Sequence, residues 1–325
     1  MSSKRTLAVY PNCSKGGVSS VLRARARKNQ DTIFDLVFLE DRGGKATFAD
    51  LDNVNLRIVR SDRVKSYLAY LASKKRYDEI RILSAPEVAN DLSLRDDVSV
   101  TYEFHSSDMK VVANEIKKLE VDRLSDIVVP SAQMVDWITP MLPMRVARRV
   151  SIEENLIDSS TFNLEPPARK QHAFGREYTP LIWVGRFDQG KGSFYLPRLL
   201  ATLPDNYVAE VIVSLEKDPE RVGKFLYECD AMGVRDRVIL YMNLAPTAVA
   251  QMYKSARLRG GWLVSTSLME SFGYSVREAL ACGLRVASFS LPVFTDLAEN
   301  SGDAFFSPIG DVAALSKIIL EHDQG

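Results

Sequence analysis

The chain has 325 residues, 46% apolar and 26% charged, a composition that fits a soluble globular protein of about two domains and excludes a disordered or fibrous one. Lys plus Arg total 42 and Asp plus Glu total 42, split 25 to 24 up to Glu165 and 17 to 18 after it, so bulk charge offers no basic face for nucleic acid. Three scattered cysteines, Cys13, Cys229 and Cys282, suit neither a disulfide framework nor a CxxC metal pair and point to a reducing cytoplasm.

The chain reaches a strand-like run, Thr6 to Tyr10, almost at once, without the apolar core of a secretory signal. Apolar runs rich in Val, Ile and Leu then recur at Phe34 to Leu39, Leu56 to Val59, Glu79 to Leu83, Val98 to Phe104, Asp126 to Val129 and Arg148 to Ile152. Such runs suit parallel strands buried on both faces. Helical patterns fall between them at Val18 to Lys28, Arg63 to Lys75, Lys110 to Leu119 and Ala132 to Thr139. Residues 164–175, polar and proline-containing without periodicity, read as a linker between domains 1–163 and 176–325.

The second half repeats the alternation. Strands are expected at Pro180 to Val184, Val208 to Ser214, Val238 to Tyr241, Gly261 to Ser265 and Leu284 to Phe289. Helices are expected at Ser193 to Ala201, Pro219 to Met232, Pro246 to Ala256, Ser275 to Ala281 and Val312 to His322. The fold class is therefore α/β, with two Rossmann-like, doubly wound parallel-sheet domains. No window approaches 18 consecutive apolar residues, so no helix is expected to span a membrane, and peripheral attachment stays open.

In such sheets ligands bind beyond the carboxyl ends of the strands, so residues just after strands carry the candidate chemistry. Glu270 sits after one expected strand, Gly273 permits close backbone approach, and the helix from Tyr274 carries Glu278. Free amides at that helix start suit a pyrophosphate. Glu278 can accept two hydrogen bonds from a ribose diol, and Glu270 can contact sugar hydroxyls. In Val184-Gly-Arg-Phe-Asp-Gln-Gly-Lys-Gly192, Gly185 allows a tight turn while Arg186 and Lys191 place two cations where strand meets helix. Gly16 and Gly17 make a glycine turn after the first strand that lacks the G-x-G-x-x-G and Walker patterns. Two basic clusters, Arg23 with Arg25, Arg27 and Lys28, and Arg145 with Arg148 and Arg149, read as solvated faces or as contacts to an anionic membrane or phosphorylated acceptor.

The block Glu270-Ser-Phe-Gly-Tyr274 with Glu278-Ala-Leu-Ala-Cys-Gly283 closely resembles the E-x7-E segment of retaining glycosyltransferases of family 4, the glycosyl transferases group 1. Val184 to Gly192 resembles that family's V-G-R-x-x-x-x-K-G motif, and Gly16-Gly-Val18 its glycine loop. His105 stands where many members carry a histidine near the transferred sugar. Asp126 to Ala132 and Glu154 to Phe162 resemble further family segments, with Glu154 for proline and Leu156 for glycine. Met242 stands where glycine is usual in the base pocket, which leaves the nucleobase open. Members usually continue into a terminal helix beyond the counterpart of Val312 to His322.

The resemblance implies a GT-B fold, two domains facing a central cleft, and transfer of a sugar from a nucleotide-diphosphate sugar to a hydroxyl acceptor (glycan, lipid-linked or small molecule). It implies donor contacts from Gly185, Arg186, Lys191, Glu270, Ser271, Phe272, Gly273, Tyr274 and Glu278, with Gly16 and Gly17 approaching from the first domain. Glu270, His105, Arg186 and Lys191 carry the catalytic expectation, without a metal or other cofactor. A nucleotide-sugar epimerase, a phosphorylase or a non-catalytic scaffold on the same fold remain rivals. The expected location is cytoplasmic, with the inner face of the membrane open as a peripheral contact.

Overall fold

The computed structural model describes residues 4–91, 99–168, 177–213 and 220–323. The chain forms two compact units, Met1–Leu156 and Ile157–Gly325. Residues 169–175 of the expected linker, with His172, lie outside the described residues, as do Val98, Ser214 and Pro219 at the ends of expected elements.

In the first unit the order is β1 (Lys4–Cys13), α1 (Gly17–Lys28), β2 (Thr32–Asp41), β3 (Val54–Ile58), α2 (Ser61–Lys74), β4 (Glu79–Leu83) and α3 (Pro86–Asp91). It continues with β5 (Val100–Glu103), α4 (Met109–Lys118), β6 (Asp126–Val129), α5 (Ala132–Ile138), α6 (Met144–Ala147) and β7 (Val150–Ile152). All seven strands are parallel, in the order β3-β2-β1-β4-β5-β6-β7. Successive side chains of a strand point to opposite faces. Leu7 and Val9 accordingly join Ile80, Ile82 and Tyr102 in one core, while Ala8 joins Leu36 and Phe38 in the other. The winding reverses between β1 and β4, which puts the Gly16-Gly17 turn at the switch point.

The second unit runs β8 (Thr179–Gly185), α7 (Tyr195–Thr202), β9 (Tyr207–Val213), α8 (Glu220–Ala231), β10 (Val238–Met242) and α9 (Pro246–Leu258). Next come β11 (Trp262–Ser265), α10 (Tyr274–Ala281), β12 (Arg285–Phe289), α11 (Thr295–Asn300), β13 (Ala304–Ser307) and α12 (Val312–His322). Its six parallel strands follow β10-β9-β8-β11-β12-β13. Leu181 and Trp183 face one core, Ile182 the other, and every residue of β9 is buried. Here the winding reverses between β8 and β11, whose pairing runs through Trp262↔Leu181. The loops that follow these two neighbours are the two that carry the sequence motifs. β13 extends the sheet by one strand, and neither it nor α11 was among the elements expected from sequence.

Candidate active site

The loop after β8 and the loop after β11 are stitched together. Leu268 N–H donates to Gly190 O at 2.8 Å, and Thr266 Oγ1 donates to Lys191 O at 3.2 Å while accepting from the buried Trp183 Nε1 at 3.0 Å. Gly192 has φ +58° and lies so close to the second loop that a Cβ would stand 2.1 Å from Thr266 O. Gly192→Ala should therefore separate the loops and destabilise the second unit by about 1–3 kcal/mol, readable as a lower melting temperature.

Within this stitch Lys191 Nζ lies 2.5 Å from Glu270 Oε1, with side-chain exposures of 24% and 11%. Ser267 Oγ donates to the same oxygen at 2.7 Å. Asp188 organises the rest: one oxygen accepts from Lys191 N–H at 2.9 Å, the other from Arg186 Nε at 2.9 Å. Arg186 is the exposed member, at 56%. Arg186 and Lys191 thus each have a carboxylate partner, Asp188 and Glu270. Gly185 is required by packing, because a Cβ there would meet the Trp183 ring at 2.8 Å.

Ser271 and Phe272 lead into α10. Gly273 precedes it with φ +78°, and a Cβ would stand 2.2 Å from Phe294 Cε1, so backbone conformation and the Phe294 ring demand glycine there. The N-cap, Gly273, has no side chain with which to cap the helix, and the first turn carries no acid. Phe272 and Tyr274 pack ring to ring at 4.8 Å, and Arg277 lies over Phe272 at 4.7 Å. One turn into the helix, Glu278 is partly buried, and among the described residues no donor reaches its carboxyl. Burial, reinforced by the charge of Asp158, raises this carboxyl to about 8.

In the first unit Gly16 is the N-cap of α1, its N–H donating to Ser14 Oγ at 3.3 Å, and Gly17 is the first helical residue. His105 follows β5, with Nε2 2.9 Å from Glu103 Oε2 and only 7% of its side chain exposed. Glu103 is wholly buried and meets Arg25 Nη1 at 2.8 Å and Arg81 Nη1 at 2.9 Å. Burial alone would raise its carboxyl, but Arg25, His105 and Arg81 outweigh this and hold it well below the usual range.

This overturns the reading of α1 as a basic surface for Arg23 and Arg25, while Arg27 is half-buried and Lys28 exposed. Arg25 is buried against Glu103 and Glu153, and Arg23 is buried with its guanidinium on Asp50 and Thr47 O. Their charge is used inside the unit. Arg145, Arg148 and Arg149 do remain exposed, beside Met141 and Met144, with Arg145 2.5 Å from Asp122. Ser267, Thr266, Trp183 and Asp188 escaped the sequence analysis. A serine three residues before Glu270 was visible, but nothing local showed that it would donate to it. No helix among the described residues is long and apolar enough to cross a membrane, and no three His, Cys, Asp or Glu side chains among them gather as a metal ligand set.

Residues 165–322 match the family model described as glycosyl transferases group 1. D-inositol 3-phosphate glycosyltransferase of Xylanimonas cellulosilytica is 28% identical over 173 residues, covering 52% of this chain and 35% of that protein. 2-Deoxystreptamine N-acetyl-D-glucosaminyltransferase of Streptomyces fradiae is 26% identical over 205 residues, or 57% and 46% of the two chains. The chain thus spans less than half the length of these curated relatives. The crystal structure of Anabaena HepE in complex with UDP and glucose matches with a TM-score of 0.80 at 16% identity, over 97% of this chain and 89% of that one. Residues 165–322 of the present chain, within its second unit, thus match the glycosyl transferases group 1 model, and the chain shares the GT-B fold of these glycosyltransferase structures.

Proposed function

We propose that the chain is a retaining, metal-independent glycosyltransferase of family 4 that moves a sugar from a nucleotide-diphosphate sugar to a hydroxyl acceptor. One observation carries the reading most. The two loops at the switch point of the second unit hold Lys191 against Glu270, and the next helix has a glycine N-cap and carries Glu278, whose carboxyl meets no donor among the described residues. A diphosphate supplies anions for Lys191, Arg186 and the amides from Ser271 to Tyr274; a ribose supplies two hydroxyls for Glu278. The names of the two curated relatives and the UDP and glucose bound to HepE agree with a donor of this class.

In this reading Arg186 and Lys191 stabilise the negative charge that grows on the departing diphosphate, the work a metal ion does in other transferases. Glu270 holds hydroxyls of the transferred sugar, Gly185 and Gly273 shape the donor loops, and His105, Gly16 and Gly17 serve from the first unit. The acceptor hydroxyl attacks from the face the diphosphate leaves, and a donor phosphate oxygen takes its proton, so anomeric configuration is kept. Location is cytoplasmic. Arg145, Arg148 and Arg149, flanked by exposed Met141 and Met144, form the surface that would rest on an anionic membrane or a lipid-linked acceptor.

A thermal-shift screen of nucleotides and nucleotide sugars tests the reading. A nucleotide diphosphate and its matching sugar should raise the melting temperature in proportion to the logarithm of concentration, with EDTA present. Product analysis should then show transfer with unchanged anomeric configuration. No shift with any nucleotide would refute the donor site. Conversion of donor alone, or only with free phosphate, would instead identify an epimerase or a phosphorylase.

A further inference from the structure

We infer that Glu103 is a positioning residue for His105, fixing which ring nitrogen of the imidazole is protonated and leaving Nδ1 as the ring's acceptor. The inference rests on the transfer reading only in supposing that His105 serves the site; the tautomer stands or falls by itself.

The geometry of the first unit dictates the assignment. Glu103 Oε1 accepts from Arg25 Nη1 at 2.8 Å and Arg81 Nη1 at 2.9 Å; Oε2 accepts from Arg25 Nη1 at 2.9 Å and lies 2.9 Å from His105 Nε2. A carboxylate with two guanidinium groups around it stays ionised, and an ionised carboxylate only accepts. The proton of the His105–Glu103 contact must therefore sit on Nε2. In the neutral ring Nδ1 then holds the lone pair. Glu153 and Glu79 complete the surroundings: Glu153 accepts from Arg25 Nε at 2.9 Å and Arg81 Nη1 at 2.7 Å, and Glu79 pairs with Arg81 Nη2 at 2.9 Å. These bonds tie α1, β4, β5 and the segment after β7 together through two arginines shared by Glu103 and Glu153. An imidazole placed this way accepts a hydrogen bond from a hydroxyl, the chemistry of a sugar or an alcohol acceptor.

His322 supplies an internal contrast. Its Nδ1 lies 2.9 Å from Ile318 O, a carbonyl that can only accept, so this ring must carry its proton on Nδ1. The two described histidines are expected to be opposite tautomers.

The test is long-range proton–nitrogen NMR on the full chain with ¹⁵N-labelled histidine, at about pH 8, above the ordinary imidazole range. Signals are assigned by His172→Gln and His322→Gln, which leave His105 in place. The expected result is a protonated Nε2 and a bare Nδ1 at His105. In Glu103→Gln the amide oxygen should turn to Arg25 and Arg81 and the amide nitrogen to His105, so the ring should switch to a protonated Nδ1. Transfer by that variant should fall about tenfold or more, with the KM for donor nearly unchanged. A wild-type His105 protonated on Nδ1, or on both nitrogens, would overturn the inference, as would an unchanged tautomer in a folded Glu103→Gln. Should that variant not fold, the wild-type spectrum decides alone. Absence of any transfer by the wild type would refute the transfer reading and leave the tautomer result intact.

Discussion

Lys191→Ala should lower the rate of sugar transfer by about 10²- to 10³-fold, the loss typical of removing one preorganised donor from a developing anion. The magnitude rests on how Lys191 is held. Its N–H is fixed by Asp188, its carbonyl by Thr266, and its ammonium by Glu270 in a place only 24% exposed. A cation so fixed needs little reorganisation when charge builds on a departing diphosphate, and low exposure keeps the interaction from being screened. Arg186, 56% exposed and resting on Asp188, delivers its charge from a wetter place, so Arg186→Ala should cost less, about tenfold. Steady-state transfer assays on both variants check the order. Equal, near-normal rates would remove the cationic pair from the mechanism. The same substitution leaves Glu270 with Ser267 as its donor, so part of the loss should appear as poorer placement of the sugar. Lys191→Arg restores charge without the point geometry and should recover only part of the rate.

The strands of both units were legible because they are buried on both faces, which leaves continuous runs of Val, Ile and Leu such as Val208 to Val213. β13 was not, since Ala304–Ser307 is four residues long and lacks a β-branched side chain. The glutamates and cations of the second unit were legible as motifs, yet their partnership was not: Lys191 and Glu270 are 79 residues apart and meet because β8 and β11 are neighbours. Failure was plainest in α1. Alternating arginines on a helix read as a solvated face, but the partners of Arg23 and Arg25 lie 27 and 78 residues away, on an element and a strand end that periodicity cannot connect. Glycine gave a mixed lesson. Gly273 looked like room for a ligand, whereas φ +78° and the Phe294 ring already account for it.

Glu278→Gln should make the ligand-free protein more stable near neutral pH and a nucleotide bind less well. In the folded chain burial and the Asp158 charge hold the Glu278 carboxyl at about 8, against 4.5 for the ordinary group. Because the folded value is the higher one, this side chain's contribution to stability is fully present below about pH 4.5 and is lost as pH rises toward 8. Between those values the unfolded chain gives up the proton and the folded one keeps it, which favours unfolding. Glutamine has no proton to lose. Its advantage over the wild type should be absent near pH 4, grow through pH 7, and reach about 1–3 kcal/mol, measured as the difference between melting curves across that range. Binding should move the other way. Two ribose hydroxyls donating to the carboxyl favour its ionised form, so a nucleotide binding at pH 7 should expel close to one proton, visible as a buffer-dependent heat in calorimetry. Glutamine offers one neutral acceptor in place of two charged ones, which should weaken nucleotide binding about 10- to 100-fold and abolish the proton release. A variant that bound nucleotide normally would place the ribose elsewhere. A variant no more stable than the wild type at pH 7 would mean that Glu278 is solvated and ionised before the donor arrives.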